Sequence, residues 1–200
     1  MKKTCIVLSV FAVFLIFPLT VCTAGGNKEA PVTVSVDAGV FTDHYAAPRD
    51  GFASGGIPKA DLDAIIQSAV RAPSAANRQP WFFTVIQDEK LAQKIVPQAV
   101  QGNVVIVIST EGNAEKKITN REIIDCGLAT QSIYLTAQAL GYGSRIYTGP
   151  VDNINNTLKG ELGFPAERNA VTAVWVGKLK TDAVSGASAR KDAGETVEYK

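Results

Sequence analysis

The run of residues 72–81, which reads Ala-Pro-Ser-Ala-Ala-Asn-Arg-Gln-Pro-Trp, is the stretch of this chain best suited to chemistry. Proline, serine and asparagine are common turn formers, and a proline here ends any helix that comes before it. The amide side chains of Asn77 and Gln79 can donate and accept hydrogen bonds close to the ring of Trp81. They either satisfy the backbone of a tight turn or contribute to a ligand-binding site.

Histidine and cysteine are scarce in this sequence. The chain has 1 histidine, His44, and 3 cysteines, Cys5, Cys22 and Cys126. Cys126 lies in an apolar helical pattern, which favours a buried, inert thiol over a nucleophile. The sequence therefore has no histidine motif for acid–base catalysis, and we expect no metal site.

A helix and a strand must position residues 72–81. Apolar residues recur at helical spacing before Pro73, and the run 81–87, Trp-Phe-Phe-Thr-Val-Ile-Gln, is typical of a strand. Further along, the patterns predict a short helix over 88–100 interrupted by Pro97, a buried strand over 103–110, a long helix over 120–140 closed by Gly141, a strand over 144–149, a helix over 151–165 ending near Gly163, and a last strand over 170–180. This order of helices and strands indicates a mixed sheet flanked by helices, α+β or α/β.

The N-terminal segment has the features of an export signal. Lys2 and Lys3 precede an apolar run over 5–21, and small residues follow it, so we expect a signal peptide over 1–24. Residues 19–22, Leu-Thr-Val-Cys, resemble a bacterial lipobox, which would instead give a lipoprotein signal over 1–21 and a lipid on Cys22. An uncleaved membrane anchor is the third alternative. Each one predicts an exported protein, periplasmic or at the cell surface, and the last two attach it to the membrane.

Composition and charge narrow the classes of partner. The 200 residues carry a net charge of +1, with a pI near 7.7, and 46% of them are hydrophobic. This is an ordinary globular mixture without the basic surface that nucleic-acid binding needs. We therefore expect no nucleic-acid partner, and we divide the chain into the signal over 1–24, a linker and N-terminal arm over 25–56, and one folded domain over 57–200.

Residues 72–81 resemble the signature of the nitroreductase family of flavoproteins, which reads Ala-Pro-Ser, two residues, Asn, one residue, Gln-Pro-Trp. The matching residues are Ala72, Pro73, Ser74, Asn77, Gln79, Pro80 and Trp81. The long helix then matches the family pattern Asp-x-Gly-x-Ala-x-Gln at Asp125, Gly127, Ala129 and Gln131. Residues 161–165, Glu-Leu-Gly-Phe-Pro, and the strand-like end of the chain at 196–200, Thr-Val-Glu-Tyr-Lys, also resemble the family, so that the likeness covers 57–200.

The resemblance implies an α+β fold with a mixed sheet flanked by helices, assembled as an intertwined homodimer around the long helix, with FMN at the dimer interface. It places Pro73, Ser74, Asn77 and Gln79 against the flavin ring, and backbone N–H groups of Tyr147, Thr148 and Gly149 near flavin N5. Arg190 and Lys191 become the candidates for the FMN phosphate. A flavin carries the chemistry itself, so the lack of a catalytic side chain is expected.

The N-terminal arm departs from the family pattern. The family has Arg-Arg-Ser-x-Arg-x-Phe there, and those arginines hold the FMN phosphate and ribityl chain. Here Phe52 matches the Phe, but Ala46, Ala47 and Asp50 stand at the arginine positions, and Arg49 is the nearest cation in sequence. The departure implies weaker FMN binding, a different flavin, or no flavin.

Two functions from different classes follow from these residues. The first is an exported FMN-dependent oxidoreductase that reduces a small planar acceptor, of the nitroaromatic or quinone type, by hydride transfer through flavin N5. NAD(P)H or another donor supplies its electrons, and export favours a protein or membrane donor because NAD(P)H is scarce outside the cytoplasm. The alternative is a non-catalytic protein that binds a ligand or a partner on the same fold, having lost the phosphate site.

Overall fold

The computed structural model describes residues 39–42, 44–183 and 190–200. The helices are α1 (Gly39–Thr42), α2 (Lys59–Val70), α3 (Glu89–Ile95), α4 (Asn120–Ala139), α5 (Val151–Asn153) and α6 (Ala193–Thr196), and the strands are β1 (Trp81–Ile86), β2 (Val104–Thr110), β3 (Gly143–Tyr147) and β4 (Asn169–Gly177). The expected export signal and Cys22 lie outside the described residues. Among the described helices, none is long and apolar enough to cross a bilayer.

The four strands form one sheet in the order β1-β2-β4-β3. All three neighbouring pairs are antiparallel, and β2 is buried along its whole length in the centre of the sheet. Its β-branched side chains suit such a position because they pack well on a pleated surface. The predicted α+β fold is confirmed.

Two apolar layers cover the faces of the sheet. On one face, α2 and α4 pack on Val104, Ile106 and Ile108 of β2. On the other, α3 and residues 154–164 pack on Val105 and Val107, as successive side chains of a strand point to opposite faces. The N-terminal arm joins the second layer, where the ring of Phe52 stacks on Trp175 with 3.6 Å between the ring centroids.

Helix α4 has the boundaries that its sequence predicts. Its N-terminus is a capping box, in which the Glu122 carboxylate accepts a hydrogen bond from the Thr119 backbone N–H at 3.0 Å. At the other end Gly141 has φ +83°, and the N–H groups of Gly141 and Tyr142 donate to the carbonyls of Gln138 and Ala137. This is a Schellman motif, which requires the left-handed conformation that glycine adopts without strain.

Two predicted segments differ in the structure. The helix predicted to end near Gly163 stops at Leu158, and its second half is a π-helical turn over Ile154–Leu158. The Asn155 side chain bonds both backbone groups of Ala170 in β4, accepting from the N–H at 2.7 Å and donating to the carbonyl at 3.1 Å, and so ties this turn to the sheet. Residues 197–200, which resemble a strand, form none here, because no strand within the described part of the chain pairs with them.

Candidate functional site

The turn between α2 and β1, Ser74 to Gln79, is strained and exposed. Ala76, Asn77 and Gln79 have φ of 53°, 53° and 49°, a left-handed conformation that residues other than glycine rarely adopt. Each such residue costs about 1 kcal/mol or more, somewhat less for asparagine. The surrounding structure must therefore hold the turn in this shape.

A buried carboxylate of α4 holds the turn from below. Asp125 is only 3% exposed, and its Oδ1 accepts a hydrogen bond from the Ala75 backbone N–H at 3.0 Å. Within the turn, the Ser74 hydroxyl accepts from the Gln79 backbone N–H, also at 3.0 Å. The second carboxylate oxygen, Asp125 Oδ2, is buried without a hydrogen-bond partner in the described structure. The turn is thus fastened to the helix that lies across the sheet.

The side chains that the turn presents are polar and accessible. Asn77 and Gln79 are exposed, and Gln79 Nε2 donates to Asn77 Oδ1 at 3.2 Å. Asn77 Nδ2 donates no hydrogen bond within the described residues, and Pro73 is exposed at the foot of the turn. An open groove of about 370 Å³ borders the turn, lined by Gln67, Val70, Arg71, Ala72, Asn77 and Gln79. Ser74 and Asp125 accept hydrogen bonds from the backbone N–H groups of Gln79 and Ala75, and Gln79 Nε2 donates to the Asn77 backbone carbonyl at 3.4 Å. Both amide side chains nevertheless stay exposed, so a ligand can reach them.

The second group of predicted site residues follows β3. Tyr147 ends that strand half-buried, and its hydroxyl is buried without a hydrogen-bond partner among the described residues. Thr148 and Gly149 are exposed, and the space beside the Gly149 α-carbon is open. This loop can therefore bring its backbone N–H groups close to a flat ligand.

The sheet topology separates the turn from the loop. Trp81 pairs with Thr110, and Tyr147 pairs with Ala173, so β1 starts and β3 ends towards the same end of the sheet. The two strands are nevertheless its opposite edges, three strand spacings or about 14 Å apart. One chain does not close both groups around the same atoms.

The N-terminal arm packs along β3. The Ala47 N–H donates to the Ser144 carbonyl at 3.1 Å, and Arg145 Nη1 donates to the Ala47 carbonyl at 2.8 Å. Ala47 is fully buried, whereas Ala46 and Arg49 are exposed. The arm therefore keeps its place on the domain without an arginine at the two alanine positions.

The C-terminal candidates lie in the last described segment, residues 190–200. Arg190 and Lys191 are exposed and precede Asp192, whose carboxylate accepts from the Gly194 N–H at 2.8 Å at the start of α6. No described contact brings Lys191 to the turn or to the loop after β3. Their assignment to a phosphate remains a prediction.

Cys126 is buried, as its sequence context predicts. It is fully buried in α4, and burial, together with the charges of Asp125 and Glu122, raises the pKa of its thiol to about 12. A hydrogen bond from the Thr119 side chain lowers the pKa of Glu122. Within the described residues, no cluster of histidine, cysteine and acidic side chains could hold a metal ion.

Comparison with known proteins identifies the family. The model of the nitroreductase family matches residues 49–106 and 99–178, which include the turn, α4 and the loop after β3. The chain belongs to the nitroreductase family. The prediction of a nitroreductase-type enzyme is therefore confirmed at the level of the family.

Individual nitroreductases resemble the chain in sequence and in fold. A protein of Archaeoglobus fulgidus, provisionally named NADH dehydrogenase/NAD(P)H nitroreductase, is 30% identical over 130 residues, 61% of this chain and 74% of the relative. A nitroreductase with bound FMN from Bacteroides fragilis has a TM-score of 0.65 at 17% identity, covering 80% of this chain and 97% of its own. Another nitroreductase with bound FMN, from Desulfitobacterium hafniense, has a TM-score of 0.65 at 20% identity, and the match covers 80% of this chain and 95% of that protein.

The residues present fit a flavin on two counts. The turn offers exposed amides on a rigid base, and the Tyr147 hydroxyl and Asp125 Oδ2 are buried polar atoms without partners in the described structure. Such atoms are uncommon in folded proteins and often mark binding sites. The arm lacks the arginines that hold the phosphate in the family pattern, and one described cation, Arg145, donates a hydrogen bond to the arm backbone.

Two side chains of the candidate site, Asp125 and Arg145, were not predicted from the sequence. Asp125 belongs to the matched helix pattern, but its bond to the turn spans 50 positions in the chain. Arg145 lies in a strand that is predicted from its apolar neighbours. A charged residue within such an apolar strand is the one feature of the sequence that could have marked it as functional.

Proposed function

We propose that this chain is an FMN-dependent oxidoreductase that reduces a small planar acceptor, of the nitroaromatic or quinone type. The observation that carries the proposal is the strained, exposed turn Ser74–Gln79 held by the buried Asp125. Strain of this kind persists where a site needs it, and here it points two amides outwards from the end of a helix. The FMN bound to the Bacteroides fragilis and Desulfitobacterium hafniense proteins supports the same cofactor for this chain.

In this proposal the protein binds and orients, and the cofactor reacts. FMN, when bound, supplies the acceptance and the delivery of a hydride. Asn77 and Gln79 give hydrogen bonds to the polar edge of the ring, and Pro73 packs beside it. The backbone N–H groups of Thr148 and Gly149 hold the opposite side of the flavin.

A second copy of the chain completes the site in this proposal, because one chain keeps the turn and the loop at opposite edges of its sheet. The support is an apolar stripe on α4: Ile123, Ile124 and Leu128 are 48%, 61% and 39% exposed, beside the exposed Gly127. Exposed apolar surface of this extent on a central helix is typical of an interface. Sedimentation analysis should find a dimer, and Ile124→Lys should shift it to monomer and lower flavin affinity with it.

Export is part of the proposal and rests on the N-terminal sequence. Intact mass of the protein from the cell envelope should show a chain beginning at Gly25, or a lipid-modified chain beginning at Cys22. An unprocessed chain in the cytoplasmic fraction would contradict export. Because NAD(P)H is scarce outside the cytoplasm, a protein-borne or membrane electron donor belongs to the proposal beside NAD(P)H.

The arm favours one alternative, a non-catalytic binding protein. Ala46 and Ala47 remove two cations, and Asp50 adds a negative charge close to where the family holds a phosphate. Electron transfer decides between the two functions. The flavin-loaded protein should be reduced anaerobically by NADH, NADPH or dithionite and reoxidised by a nitroaromatic or a quinone. A flavin that is bound but not reoxidised by any planar acceptor would favour the binding protein.

A further inference from the structure

Arg145 occupies an unusual position for a charged side chain. It lies half-buried in the edge strand β3, opposite the fully buried Trp175 of β4. Its Nη1 donates to the Ala47 carbonyl at 2.8 Å, and its guanidinium carbon is 5.8 Å from the centre of the Tyr147 ring. Arg145 therefore connects the arm, which lacks arginines at positions 46 and 47, with the strand that leads into the Thr148–Gly149 loop.

The direction of the side chain follows from strand geometry. Residues 145 and 147 are two apart, so their side chains lie on the same face of the sheet. That face also carries Phe52 of the arm, stacked on Trp175. The guanidinium thus lies between the arm backbone at Ala47 and the Tyr147 ring.

The remaining donors of Arg145 suit an anion. A guanidinium has five N–H donors in a planar fork, and one of them is used by the Ala47 carbonyl. None of the ion pairs found in the described residues involves Arg145. A half-buried guanidinium with free donors and a fixed position binds phosphate well, since two parallel bonds to phosphate oxygens match its shape.

We propose that Arg145 supplies from β3 the cation that the arm has lost, and that it binds the phosphate group of FMN. The assignment rests on the proposed function, since it concerns the same flavin site. In this assignment, Arg145 takes the role of the arginines that are absent from positions 46 and 47. It also predicts that this chain prefers FMN to riboflavin, which has the same ring and ribityl chain without the phosphate.

The competing explanation is purely structural, with Arg145 serving only to fasten the arm through Ala47. The two explanations differ in their effect on two ligands. A residue that binds the phosphate affects FMN and leaves riboflavin unchanged, whereas a loosened arm weakens both flavins alike.

The experiment titrates the full-length protein, stripped of flavin, with FMN and with riboflavin, and follows the quenching of flavin fluorescence. The unmodified protein should bind FMN more tightly than riboflavin. Arg145→Gln should weaken FMN by about 10- to 100-fold with riboflavin affinity unchanged, and Arg145→Lys should keep part of the preference. Arg49→Gln is the matched control, because this exposed arginine lies on the arm that Arg145 contacts, and it should leave the ratio of FMN to riboflavin affinity unchanged.

Several outcomes would overturn the assignment. Equal binding of the two flavins by the unmodified protein would do so, as would a parallel loss of both flavins in Arg145→Gln. The FMN preference could instead be lost in Arg49→Gln, or in the double variant Arg190→Gln, Lys191→Gln, and be kept in Arg145→Gln. That result would assign phosphate binding to those residues and not to Arg145. Binding of neither flavin by the unmodified protein would overturn the proposed function as well, which distinguishes the two failures. Thermal melting of each variant checks that it is folded.

Discussion

The turn before β1 keeps the family pattern, whereas the arm along β3 departs from it. The turn Ser74–Gln79 keeps every residue of the signature, and it keeps a strained backbone fastened to Asp125. The arm keeps the residue that packs, Phe52, and has alanine or aspartate at the arginine positions. The difference teaches that the fold of the arm and its charge are separable properties.

The physical reason lies in how each region is held. The arm is fixed by backbone hydrogen bonds at Ala47 and by the stacking of Phe52 on Trp175, none of which needs a charged arm residue. The turn depends on one buried carboxylate and on residues that tolerate left-handed φ. Substitution can therefore remove the arm's cations without unfolding the arm, whereas the turn has less freedom to change.

Removal of the Phe52 ring should break the arm most severely. Phe52 is 4% exposed and stacked on Trp175, so Phe52→Ala should lower the free energy of unfolding by about 3–5 kcal/mol. Phe41→Ala is the control, since Phe41 is 57% exposed and should cost under about 0.5 kcal/mol. Urea denaturation measures both. Similar small losses would mean that the arm is not part of the folded core.

The thiol of Cys126, the residue that follows Asp125 in α4, should be closed to reagents. The pKa of the Cys126 thiol is raised from 9.0 to about 12, so its thiolate fraction at pH 8 should fall by about 1000-fold, and its alkylation by iodoacetamide with it. Peptide mass spectrometry of the native and the urea-unfolded protein compares the two rates. Equal rates would show that reagents reach Cys126 in the folded protein.

The same thiol makes stability depend on pH. Its pKa is higher in the folded than in the unfolded chain, so the unfolded chain loses its proton first as the pH rises. The stabilisation is full below about pH 9 and should decline between pH 9 and about 12. Cys126→Ala should flatten part of this decline, and Tyr142, whose pKa is also raised to about 12, should account for another part.

Loss of the Asp125 carboxylate should release the turn while the arm stays in place. Asp125→Ala should cost about 1.5–3 kcal/mol, the range for a hydrogen bond to a charged group, and weaken both flavins. Asp125→Asn retains an oxygen for the Ala75 N–H and should cost less. The control Asp63→Ala removes an exposed carboxylate that pairs with Lys59 and should cost under about 1 kcal/mol. Calorimetry with flavin titration would refute the role of Asp125 if both aspartates behaved alike.

An arginine placed at position 46 of the arm should have the smallest of these effects, a modest gain in FMN affinity. Ala46 is exposed, so Ala46→Arg should tighten FMN by at most about fivefold without affecting riboflavin, because exposed charges interact weakly. Ala47→Arg should instead destabilise the fold, because Ala47 is fully buried. Fluorescence titration and melting curves separate these results. Tighter FMN binding by Ala47→Arg would contradict the placement of the arm, because it would mean that residue 47 is accessible to the ligand.

Much of the fold follows from local sequence patterns. The parts of the fold that cannot be predicted in this way depend on contacts between residues far apart in the chain. Helix α4 is predictable because its apolar periodicity, its capping box and Gly141 all lie within its own sequence. The π-helical turn is not, because the Asn155 side chain bonds to a strand 15 residues away. The same distinction holds in the site. The turn is recognisable from its local motif, but the contact between Arg145 and Ala47 spans 98 positions and exists only after folding.

Flavin retention tests the central claim most directly. The purified protein is mixed with FMN, dialysed, and examined by visible absorption for bound flavin per chain. The account predicts a retained flavin band, at about one FMN per chain, as expected where one cofactor carries the chemistry of each site. A colourless protein after dialysis, with the fold intact by circular dichroism, would contradict an FMN-dependent enzyme and leave the binding protein as the better explanation.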